Sequence, residues 1–190
     1  MGSTRENVFI NTSKRIFYIH DDIDQDSMSK VCFSLLHLLD EDNEKEKKEK
    51  EFIREPIKLF INSYGGFTND MWALVDIILN SKTPIHTYST SHADSCGFLI
   101  FIAGHKRFIT KHTKMCCHQF SSAIVGTYQD MKGAMTTFDR LWMDLVEYIC
   151  TQTKITKERL TEIKEKKIDW YIYPEDSIDL GVATDIVTGF

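Results

Sequence analysis

The stretch Ile85-His86-Thr87-Tyr88-Ser89-Thr90-Ser91-His92-Ala93-Asp94-Ser95-Cys96-Gly97-Phe98-Leu99-Ile100-Phe101-Ile102-Ala103-Gly104 runs from β-formers, through a polar knot, into an apolar segment closed by glycine. Ile85 to Tyr88, opened by Pro84, predicts a strand. The apolar run is too short to cross a membrane, which needs about 20 such residues. It predicts a buried helix that begins at or beside Ser95. A serine there faces free backbone N–H groups, and the helix dipole favours negative charge. That place suits a nucleophile. It also suits a plain N-cap made by Asp94 or Ser95, and the stretch alone favours the cap.

The same succession of strand, turn and helix occurs twice upstream. Arg15-Ile16-Phe17-Tyr18-Ile19 predicts a strand. Met28, Val31, Cys32, Leu35, Leu36 and Leu39 then recur at helical spacing. The mixed-charge run Glu41 to Lys50 reads either as a salt-bridged extension of that helix or as a surface insertion. Ile57-Lys58-Leu59-Phe60-Ile61 predicts a second strand. Gly65-Gly66 marks its turn, and Met71, Leu74, Val75, Ile78 and Leu79 mark a second helix. Three strand–helix units predict an α/β fold with a parallel sheet and right-handed crossovers. Ligands bind such sheets beyond the carboxyl ends of the strands. Gly65-Gly66, Ser95 and His118 each follow a predicted strand, so they are expected to converge there.

Arg107-Phe108-Ile109 and Met115-Cys116-Cys117 predict two further strands. A long helix is expected over about 127–151. Its stripe of Met131, Met135, Phe138, Trp142, Leu145 and Ile149 suits either the core or a subunit contact. A short helix is expected from Lys157 to Lys166. An acid-rich helix start at Pro174 with Gly181 at the helix end follows, and then a strand from Val182 to Val187. Residues 1–14 are expected to form a mobile polar segment, and 1–190 a single domain.

The chain has 190 residues, 42% hydrophobic and 27% charged, with a net charge of −5. That balance gives no support to nucleic-acid binding. No signal peptide, myristoylation pattern or membrane span is visible, so a cytoplasmic protein without membrane association is expected. Five cysteines, Cys32, Cys96, Cys116, Cys117 and Cys150, are an odd number with two adjacent, which suits reduced thiols. Cys116-Cys117-His118 with His112 lacks metal-ligand spacing. No metal or cofactor is expected.

A serine hydroxyl needs a base, and the base needs an orienting group. The candidates are Ser95, His118 and Asp169, the last expected to be partly shielded by Trp170 and Tyr171. Asp176 and Asp179 are rival acids. The candidate oxyanion donors are the N–H groups of Gly66 and Cys96. Each residue also has a plainer reading: a tight turn for the glycines, a carbonyl-bonded buried histidine for His118, a surface acid for Asp169.

Four segments carry a resemblance. Asn62-Ser63-Tyr64-Gly65-Gly66 resembles Asn-Ser-Pro-Gly-Gly. Ala93-Asp94-Ser95-Cys96-Gly97 with its apolar helix resembles Ala-Ala-Ser-Met-Gly. Met115 to Gln119 resembles a strand ending in His-Gln. Asp169-Trp170-Tyr171, with Glu175 to Asp185, resembles the closing Asp-x-Phe and Ala-x-x-Tyr-Gly-x-x-Asp segment. In this order and spacing they are similar to the ClpP family, the proteolytic subunits of Clp protease, from about Arg15 to Val187. The resemblance implies a crotonase-like fold of stacked βαβ units with a projecting handle helix. It implies Ser95, His118 and Asp169 as catalytic triad and Gly66 and Cys96 as oxyanion donors. Ser121, Ser122, Ala123, Ile124 and Val125 correspond to the strand that pairs with substrate backbone. It further implies self-assembly into a heptameric ring, stacked as a double ring around a chamber. Unfolded polypeptides are cut there, fed by an AAA+ unfoldase.

The chain departs from the family pattern at Tyr64 and Phe120, each for Pro, at Asp94 for Ala, and at Lys58 for an aromatic of the unfoldase-docking pocket, where Phe60 is kept. The segment before Arg15 is short, and Glu44 to Glu51 looks inserted. A serine endopeptidase is the expected function. A catalytically weak or inactive ring subunit is the alternative, and an acyl-CoA-binding enzyme of the same fold is a third reading. Asp94 is expected either to face His118 and stabilise its imidazolium or to cap the helix.

Overall fold

Alternation of large apolar residues along the strands dictates one face that helices must cover. The computed structural model describes residues 7–189. Its elements are β1 (Val8–Asn11), β2 (Ile16–Ile23), α1 (Gln25–Lys48), β3 (Ile57–Gly66), α2 (Thr68–Leu79), β4 (Ile85–Ser89), β5 (His92–Asp94) and α3 (Cys96–Ile102). They continue with β6 (Lys106–Ile109), β7 (Lys114–Cys117), α4 (Tyr128–Gln152), α5 (Lys157–Lys166), β8 (Trp170–Ile172), α6 (Pro174–Asp179) and β9 (Asp185–Ile186).

β3 is the hub of the sheet. It pairs in parallel with β2, β4 and β5, and the path through it runs β8-β7-β5-β3-β4-β6-β9. Phe17, Ile19, Leu59, Ile61 and Ile85 point to the helix-covered face and are fully buried. Each such side chain contributes about 1.5–3 kcal/mol when it leaves water. The opposite face carries an aromatic ladder, Tyr18, Phe60, Tyr88 and Phe108, with stacked centroids 6.2, 4.8 and 4.8 Å apart. This is the mixed α/β architecture expected from the three strand–helix units, with its long helix α4.

Several expectations are corrected. Residues 8–14 do not form a mobile segment: Val8 to Asn11 zip antiparallel onto β2, and Val8 is buried. The β-formers Val8-Phe9-Ile10 outweigh their polar flanks; residues 1–6 lie outside the described residues. Of the two readings of the charged run, the salt-bridged helical one holds: it is helical to Lys48, with Lys47 and Lys48 both paired to Glu44. The buried face of α1 uses Leu38, while Leu36 is exposed. The first turn is fixed by a capping box between Asp24 and Ser27. The polar knot contains a three-residue strand, β5, whose Ala93 pairs with Ser63 of β3. The last strand shrinks to Asp185–Ile186, because the N–H groups of Val182 and Ala183 instead bond the Ser177 carbonyl. β8 was not foreseen, although Trp170-Tyr171-Ile172 are all β-formers.

The α4 stripe divides. Leu145 and Ile149 are buried, and Tyr148 donates a hydrogen bond of 2.8 Å to the Leu99 carbonyl of α3. Met131 and Met135 near the other end are exposed. No helix among the described residues is long and apolar enough to cross a membrane.

Candidate active site

Two strand registers bring the candidate residues to one edge. β5 and β7 run parallel with Asp94 beside Cys116, and the Ser95 N–H donates to the Cys116 carbonyl at 2.9 Å. β7 and β8 run antiparallel, with Cys117 facing Trp170 and Cys116 facing Tyr171. One step further, that register sets Asp169 opposite His118. Ser95, His118 and Asp169 therefore sit where β5 and β7 end and β8 begins. Asp176 and Asp179 lie on α6, away from the cleft that His118 shares with Asp169.

Ser95 takes φ 55° and ψ −121°, a conformation a non-glycine residue adopts only when its surroundings impose it. It occupies the N-cap position of α3, yet its side chain makes no cap hydrogen bond. The plain cap reading thus loses its physical basis. A sharp strand-to-helix turn of this kind presents a hydroxyl at the top of a sheet. Gly65 makes room for it: at φ +113°, a Cβ there would stand 2.7 Å from the Ser95 Cβ. Gly66 is glycine for a different reason than close approach to substrate, since its Cβ would run into the Ile23 backbone.

The other residues of the glycine motif are scaffolding that the sequence did not reveal. The Asn62 Oδ1 accepts from the N–H groups of Thr90 and Ser91, and its Nδ2 donates to the Tyr18 hydroxyl at 2.7 Å. Ser63 donates to the Asp21 carbonyl and accepts from the Gly65 N–H at 3.1 Å. Together they tie the end of β3 to β2 and to the link between β4 and β5.

A shallow cleft opens beside Ser95, lined by Phe98, Phe120, Trp142, Ile149 and His118 among others. Its lining is mostly apolar. A second cleft joins His118 to Ser121, Ser122 and Asp169. Ser121 to Val125 form no strand within the chain, and all but Ile124 are exposed. The expected shielding of Asp169 is corrected. It is exposed, because it precedes β8 at the sheet edge, while Trp170 turns to Arg159 at 4.5 Å. Among the described residues no hydrogen bond joins Ser95, His118 and Asp169.

The thiols are poor rivals of Ser95. Burial pushes Cys96 up to about 11, and its thiol donates a hydrogen bond to the Gly66 carbonyl at 3.2 Å. Burial, helped by the charges of Asp94 and Asp169, pushes Cys116 up to about 11. Both stay protonated near neutrality, and a thiol attacks as its thiolate. Among the described residues no group of three His, Cys, Asp or Glu side chains is placed to hold a metal ion.

The family model described as Clp protease matches residues 5–189. The ATP-dependent Clp protease proteolytic subunit 1 of Chlamydia felis is 30% identical over 176 residues, covering 92% of this chain and 81% of that protein. The proteolytic subunit 2 of Chlamydia abortus is 30% identical, with 92% and 80% covered. That of Corynebacterium glutamicum is 26% identical, with 93% and 83% covered. With a match along almost its full length, the chain belongs to the Clp protease family.

Proposed function

We propose that the chain is a serine endopeptidase, a single peptidase domain over 1–190, that hydrolyses unfolded polypeptides inside an oligomeric chamber in the cytoplasm. The observation that carries this reading is Ser95, held at a strained turn with its hydroxyl uncapped, beside His118 and an apolar cleft. In the first half-reaction the Ser95 Oγ attacks the scissile carbonyl carbon while His118 takes its proton. The Gly66 and Cys96 N–H groups stabilise the oxyanion. His118 then protonates the leaving amine as the C–N bond breaks, giving an acyl-enzyme. Water, deprotonated by His118, releases the acid in the second half. Asp169 orients the imidazole. Ser121 to Val125, in no strand of the chain and exposed except at Ile124, accept an extended substrate as an added strand. The cleft beside Ser95 takes an apolar side chain next to the cut. The relatives' names give an ATP-dependent protease, so an AAA+ unfoldase is the proposed supplier of substrate, and a heptameric ring stacked as a double ring the proposed assembly. The hydrolysis itself consumes no cofactor.

The exposed Asp169 and the lack of a bonded triad favour a second reading, a catalytically weak or inactive ring subunit. Such contacts are often loose in the free enzyme and tighten around substrate. Hydrolysis of a fluorogenic peptide with an apolar residue before the cut separates the two. The endopeptidase reading expects turnover that Ser95→Ala abolishes. Turnover that survives Ser95→Ala, or an assembled protein without turnover, overturns it.

A further inference from the structure

A carboxylate that the triad does not include lies closer to the strand core than Asp169 does. Asp94 is 9% exposed, and its Oδ1 is buried with no hydrogen-bond partner. A buried carboxylate oxygen without a partner costs stability, so a chain that keeps one invites a functional account. Pairing of β5 with β7 places Asp94 beside Cys116, and His118 follows on the same face two residues later. Across that face the charge of His118 acts on the Asp94 carboxyl and lowers it.

Resting on the endopeptidase reading, we propose that Asp94 is a positioning residue for His118, a second carboxylate that holds the imidazole and stabilises the imidazolium formed as Ser95 is acylated. Asp169, opposite His118 at the exposed sheet edge, is screened by water, so its hold on a cation is weaker than that of a buried carboxylate. Asp94 lies out of water, on the neighbouring strand β5.

The groups facing Asp94 agree with this role. On its own strand it meets His92, which stacks on Tyr64 of β3 at 4.1 Å. Lys114 and Cys116 of β7, and His118 just past its end, act on its charge. Burial pushes its carboxyl up, and His92, Lys114, the Cys116 N–H and His118 all pull it back down. The Lys114 ammonium is itself engaged over the Tyr171 ring of β8, 4.4 Å from its centroid, and Asp169 reaches the same face through Cys116. Two carboxylates and one ammonium thus share the face on which His118 lies.

The test is the pH dependence of kcat and KM for Asp94→Asn and Asp94→Ala on the assembled protein. Ala removes the unpartnered oxygen together with the charge, so it carries the smaller folding risk. The proposal expects kcat to fall about tenfold or more in both with KM nearly unchanged. It also expects the acid limb of the profile to move down by roughly half a pH unit or more, as an imidazolium loses a nearby anion. An unchanged kcat and limb would overturn it, and so would a loss of kcat with an unmoved limb, which marks a structural role. A parent protein that neither turns over peptide nor reacts with a fluorophosphonate would instead overturn the endopeptidase reading on which the proposal rests.

Discussion

At the scale of single residues, the glycine motif and the serine motif act on each other. Gly65 exists to let Ser95 stand where it does, and Asn62 and Ser63 hold that glycine in place. Gly65→Ala should therefore displace the hydroxyl and strain a backbone at φ +113°. An error of about 1 Å at a reacting atom costs about a hundredfold. We expect kcat/KM to fall by that order while thermal melting still shows a folded protein. Undiminished kcat/KM would contradict the role given to Gly65. The sequence made legible that Ser95, His118 and the glycine pair gather at one edge of the sheet, because each follows a strand. Which glycine faces Ser95 was hidden, since that depends on how β2 and β5 flank β3. The exposure of Asp169 was hidden too, because nothing in Lys167 to Tyr171 marks the edge of a sheet.

At the scale of elements, the end of α1 is pinned by a buried charge. Arg15, ahead of β2, makes two hydrogen bonds to Asp42, of 3.1 and 2.6 Å, and Thr83 adds a third at 2.8 Å. Arg54 continues the cluster to Thr83, Asn43 and Glu46. Burial raises the Asp42 carboxyl, but the bonds from Arg15 and Thr83 and the charges of Arg15 and Arg54 outweigh it, leaving the carboxyl below its ordinary 3.8. A lowered folded value means that its contribution is present above pH 3.8 and fades as the pH falls through the folded value. Asp42→Asn should cost about 3 kcal/mol or more at neutral pH, because it strands the guanidinium of Arg15. The melting curves of variant and parent should draw together below pH 3.8; a constant gap would contradict the assignment. The periodicity of α1 was legible in the sequence, but the pin was not, since Asp42 sits in a run of charges that looks solvated throughout. β1, β5 and β8, each four residues or fewer, are too short for period-2 patterning to announce them.

At the scale of the whole molecule, α4 leaves the body of the subunit with an apolar end uncovered. Tyr128, Met131 and Met135 are 71%, 41% and 63% exposed, next to Val125 at 99%. A second subunit placed there would bury them, as the proposed rings require. Met135→Glu should reduce the native mass from a ring or double ring to smaller species. It should change the stability of the subunit itself by no more than about 0.5 kcal/mol. A parent protein of monomer mass would contradict the chamber. The central claim, that Ser95 is an activated nucleophile, is tested most directly by a fluorophosphonate probe on the assembled protein, followed by identification of the modified peptide. A single label on Ser95, lost in His118→Ala, is the result predicted; no label, or a label on another residue, would contradict it.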